Sequence, residues 1–102
     1  MRANIETLLQ NGWGQVTTLS GSVTDNNIVK LKWLLEKLPE AEDLLLTYRL
    51  QSLNAARLTA EIAVEADTDI KTQKTAELRR SQKYAATADA RIEIILYEYG
   101  KL

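Results

Sequence analysis

Histidine, cysteine and phenylalanine are all missing from this chain of 102 residues, proline occurs once, and glycine four times. Without cysteine there are no disulfides and no thiolate chemistry. Without histidine the commonest general base, metal ligand and pH switch are gone, and zinc sites of His/Cys type are excluded. Aromatic residues make up 6% of the chain, so a core must be built from Leu, Ile, Val and Ala. A net charge of −1 supplies no global attraction to nucleic acid or to an acidic membrane. No run approaches the roughly 20 apolar residues of a membrane span, and the opening MRANIETLLQNGWG lacks the apolar stretch of a secretory signal. A cytoplasmic setting is the expectation, or the virion and host cytoplasm if the chain is viral.

What is present reads as one helical domain, residues 1–102. The composition, 45% hydrophobic and 26% charged, is ordinary for a globular chain of this size. Gly12, Gly14 and Gly21 lie close together, and Gly100 stands near the end. Between Glu40 and Tyr99 there are 60 residues with neither Gly nor Pro, the two strongest punctuators of local structure.

The spacing predicts a short helix over 3–10, stopped by Asn11-Gly12, and then a flexible loop, so that 1–24 forms an N-terminal segment and 25–102 the helical core. Asp25 is placed to cap a middle helix carrying Ile28, Leu31, Leu34 and Leu38 at 3–4 spacing. Pro39 suits the first turn of a new helix, where a missing N–H costs little, and Glu40, Glu42 and Asp43 favour the positive end of its dipole. Leu46, Leu50, Leu53, Arg57, Ala60 and Val64 then form one row on a helix of about 40–66. Asp67, Thr68 and Asp69 are competent caps for a last helix at about 70–99, whose inward row is Leu78, Ser81, Ala85, Ala88, Ile92, Ile95 and Tyr99. The ending RIEIILYEY also carries strand-forming residues.

Two arrangements compete for the segment EIAVEADTDIKTQKTAELRR. Its first residues and Asp67 resemble the first helix and turn of helix-turn-helix domains of the sigma-factor and phage-regulator type. That resemblance, over 58–83, implies a DNA-reading helix bearing Lys71, Lys74, Arg79, Arg80 and Lys83. Thr68 and Gln73, however, stand where that motif wants apolar residues. The alternative is an antiparallel hairpin turning near Thr68, which brings residue 60 near 76 and 53 near 83. Charge agrees with it: residues 40–70 carry seven acids and two bases, and 71–83 carry five bases and one acid. The basic run then faces an acidic arm of its own chain, in surface pairs each worth only a few tenths of a kcal/mol.

Catalytic raw material is thin. Carboxylate pairs such as Glu61/Glu65 suit solvated helix faces, and Gly12-Trp13-Gly14 lacks the spacing of a phosphate loop. The run NGWGQ resembles the tryptophan–glycine turn of small secreted WXG-type helical hairpins, but here Trp13 and Gly14 are adjacent and near the start. Trp13 is read as a plug docking the N-terminal arm, with an exposed partner-binding anchor as the sharper alternative.

The reading is therefore all-α: a small bundle dominated by a long antiparallel hairpin, about 40–66 and 70–99, with a short N-terminal helix and a middle helix. It implies no enzyme, no cofactor and no metal. The expected role is an assembly or adaptor protein that works through protein contacts and self-associates, as small phage or virion connector components do. Its expected partner-binding residues are Trp13, Lys71, Lys74, Arg79, Arg80 and Lys83. A small DNA-binding regulator is the second reading.

Overall fold

A computed structural model describes residues 2–102, with side chains described from Asn4 onward. Three helices follow in order: α1, Arg2–Ser20; α2, Ile28–Val64; and α3, Thr68–Gly100. There is no strand among the described residues, and 92–99 is helix. α2 and α3 form the long hairpin. Its pairing follows the expected register to within one residue where Asn54 meets Ser81 and Lys74 meets Glu61, while Arg91 reaches further along α2 to Glu40.

Three boundaries differ from the sequence expectation. First, α1 does not stop at Asn11-Gly12 but runs through both glycines to Ser20. Ile5, Leu8 and Gly12 are buried and Leu9, Val16 and Leu19 partly so, and this 3–4 spaced face packs on the hairpin strongly enough to override the poor helix propensity of Gly. Gly12 has a positive use there. A Cβ on it would lie 2.6 Å from Cδ2 of the fully buried Leu38, so the bare backbone is what lets α1 approach α2.

Second, the loop is only 21–27. Asn27, rather than Asp25, occupies the cap position of α2, and its side chain organises the loop instead of capping. Its Oδ1 accepts from Thr24 N at 2.9 Å, and its Nδ2 donates to Ser22 O at 2.9 Å. Third, Pro39 does not begin a new helix. It sits inside α2, so the middle helix and the first hairpin arm are one rod of 37 residues. The proline is exposed, which lets water serve the Leu35 carbonyl that loses its helical donor.

The core lies at one end of the rod. Ile5 and Leu8 of α1, Leu34, Leu38, Ala41, Leu44 and Leu45 of α2, and Ala88, Ile92 and Ile95 of α3 form a single cluster. Trp33 and Tyr99 close it, with ring centroids 6.0 Å apart, and the Tyr99 hydroxyl donates to Gln15 Oε1 at 3.1 Å. Beyond α1 the hairpin continues as two helices alone. The molecule measures 64 × 17 × 16 Å, and its radius of gyration of 18.7 Å exceeds the roughly 13 Å of a compact chain this long.

Candidate functional site

The far half of the hairpin is held chiefly by polar contacts. From residue 59 to residue 80 no described side chain is fully buried; Leu58 and Ser81 mark the edge of that region. Asn54 Nδ2 donates to the buried Ser81 Oγ at 2.7 Å, and its Oδ1 accepts from Arg57 Nη2 at 2.6 Å. Arg57 also pairs with Glu61 one turn on, and lies 3.9 Å from Glu77 across the hairpin.

The turn itself is built by three acidic residues with distinct tasks. Asp67 caps α3, its Oδ1 accepting from Asp69 N at 2.9 Å and Ile70 N at 3.1 Å, a standard use of a short acidic side chain at a helix start. Glu65 Oε1 accepts from Asp67 N at 3.1 Å, while its Oε2 lies 3.2 Å from Lys74 Nζ. Glu61 lies 3.3 Å from the same ammonium. The Lys74 hydrogen bond, with Arg57 beside it, holds the Glu61 carboxyl below its usual range. For Glu65 the main cause is the backbone N–H of Asp67, followed by Lys74. Both carboxylates in turn push Lys74 up.

This pairing divides the five expected basic residues. Lys74 faces α2 and is held by its own chain. The other four, Lys71, Arg79, Arg80 and Lys83, are exposed, and no ion pair engages them among the described residues. They do not share one face: at about 100° per residue, Arg80 projects from the flank opposite Lys71. Lys71 and Arg79 line a shallow groove of about 390 Å³ with Thr68, Thr72 and Thr75. The segment 58–83 has its two helices side by side and antiparallel, whereas a helix-turn-helix crosses them at about 90–120°.

Trp13 joins α1 to α2, with its indole N–H donating to Glu42. It is 38% exposed, so most of the ring is covered and one edge meets solvent. Arg49 pairs with Glu6 on the same flank. No three His, Cys, Asp or Glu side chains are grouped to hold a metal among the described residues, and none of their helices is long and apolar enough to cross a membrane.

The most prominent exposed feature was not among the expected site residues. Leu46, Leu50, Leu53 and Val64 are 57%, 56%, 69% and 84% exposed, although they form the leucine row of the first hairpin arm. Leu44 and Ala55 lie beside α3 and Leu38 lies under Gly12 of α1; at about 100° per residue the exposed row falls on the remaining side of α2. Its signal was present in the spacing. Positions 46, 50, 53, 57, 60 and 64 advance by four, three, four, three and four residues, the alternation of a seam between two helices. The chain matches no protein-family model, no curated protein and no solved structure.

Proposed function

We propose that this chain is a non-catalytic assembly or adaptor module that acts through helix faces and self-associates, in the manner of a small structural connector. The observation that carries the reading is the exposed row Leu46, Leu50, Leu53 and Val64, on a side of the rod that neither α1 nor α3 covers. Area supports it: the accessible surface is 6804 Å², against roughly 5,800 Å² for a compact monomer of this mass. Large apolar side chains left in line on an elongated molecule mark contact surfaces. Light scattering over a concentration series tests the reading, and the expected result is a mass that rises with concentration.

The DNA-binding alternative keeps one supporting observation, the exposed Lys71 and Arg79 along a single groove. It calls for binding that weakens steeply with salt and falls when Arg79 and Arg80 become Ala. The assembly reading expects oligomers that survive that double substitution, so adding DNA to the same concentration series separates the two.

A further inference from the structure

We propose that the partner of the exposed α2 row is the same row of a second copy, running antiparallel about a two-fold axis near residue 55. This deepens the self-association reading above and rests on it. The strip is complementary to itself, and in one direction only. Its N-terminal half is bulky, with Leu46, Leu50 and Leu53, and its C-terminal half is slim, with Ala60 and Val64. Antiparallel pairing sets Leu46 against Val64 of the other copy, Leu50 against Ala60, and Leu53 against Arg57. Each layer then combines a large side chain with a smaller or flexible one, which keeps the helix separation even along the seam. Parallel pairing would stack leucine on leucine at one end and alanine on alanine at the other.

Charge points the same way. Parallel in-register pairing would set Arg57 directly against Arg57, two like charges in a desolvated seam. In the antiparallel register the two arginines are offset along the axis. Each is already engaged by its own chain's Glu61 and Asn54, which leaves its aliphatic stem to cover Leu53 of the other copy.

The fold leaves room for this contact. α1 lies on the neighbouring flank, where Glu6 reaches Arg49, and the hairpin turn begins just past Val64. The seam is therefore bounded by residues 46 and 64, a strip about 27 Å long and about 10 Å wide. That strip of roughly 270 Å² per partner is well below the about 600 Å² per partner at which standard interfaces begin, so the dimer is weak, with a dissociation constant of tens of micromolar or above, on the order of −6 kcal/mol. Its two hairpin tips point in opposite directions.

The absence of cysteine makes the geometry directly measurable. A spin label on Ala66→Cys at the exposed tip gives an inter-label distance of about 35 Å for antiparallel pairing about residue 55, from the rise of 1.5 Å per residue. Leu50→Glu, at an exposed position, weakens the dimer at least about tenfold and removes that distance, while circular dichroism shows unchanged helicity. Leu35→Glu, equally exposed but outside the strip, leaves both dimer and distance in place. A dimer with a short label distance, or one indifferent to Leu50→Glu, overturns the antiparallel seam while sparing self-association. A chain that stays monomeric throughout the concentration series overturns both.

Discussion

Glycine shows how one residue type takes opposite roles on opposite sides of one helix, only two residues apart. Gly14 has open space around its Cα and lies on the exposed side of α1. Gly14→Ala is therefore expected to raise stability by about 0.5–1 kcal/mol, the usual gain from removing glycine inside an exposed helix. Gly12 faces Leu38 at a separation no Cβ tolerates without displacement. Gly12→Val is expected to lower stability by about 1–3 kcal/mol through overpacking, and denaturant titration of the two variants checks both signs. Sequence alone shows two glycines and favours a break at Asn11-Gly12. Which glycine lies under another helix is a tertiary fact, and that contact keeps α1 helical. Lys74 has the same character. Its membership of a basic run is plain in the sequence, but its capture by Glu61 and Glu65 depends on the hairpin register.

That capture has a pH consequence at the tip. Glu61 and Glu65 are held below their ordinary value of 4.5, so their contribution is present above about that pH and is lost as pH falls through the lowered values. Lys74 is held above its ordinary 10.5, so its contribution is present below that pH and is lost as pH rises through the raised value. Amide exchange or amide chemical shifts at residues 61–74 are expected to show a plateau between these limits and loosening at either side. Lys74→Met removes the alkaline limb and reduces the acid one.

Among the helices, α2 is where sequence and structure diverge most. Pro39 reads as a helix start, and the acidic residues after it reinforce that reading. The rod continues because Leu34, Leu38, Ala41 and Leu45 keep one buried face across the proline, and the ring lies on the exposed side. Pro39→Ala is expected to stabilise the protein by about 1–3 kcal/mol by restoring a helical donor, read as a rise in melting temperature. The α3 face was legible because its inward row is set by small residues: Ser81, Ala85 and Ala88 are buried as expected, with Ile92 and Ile95, and Leu78 and Tyr99 are partly so. The α2 face was legible as far as Leu38, since Leu31, Leu34 and Leu38 are buried at the expected spacing, but not beyond Pro39, because ten leucines between Leu31 and Leu58 decorate more than one side of that helix. Leu58, 1% exposed, is the last fully buried apolar anchor before the turn. Leu58→Ala is expected to cost about 2–5 kcal/mol and to raise amide exchange in 50–85 more than around Leu34 and Ile92.

As a whole molecule, the protein is a rod with its core at one end. Three helices share that core, and then two continue with polar contacts across them and an uncovered apolar strip outside. The all-α class and the antiparallel hairpin followed from 60 residues without Gly or Pro and from opposite charge on the two arms. The exposed strip did not, because a row of leucines in sequence is equally consistent with a core face, and only the placement of α1 and α3 shows which side is left over. Self-association through that strip is read out by sedimentation equilibrium from low micromolar to near-millimolar concentration. The average mass is expected to climb from 11.5 kDa towards twice that value, and in Leu50→Glu to climb only at concentrations at least about tenfold higher; an unchanging monomer mass for the native chain over that whole range would contradict self-association through the strip.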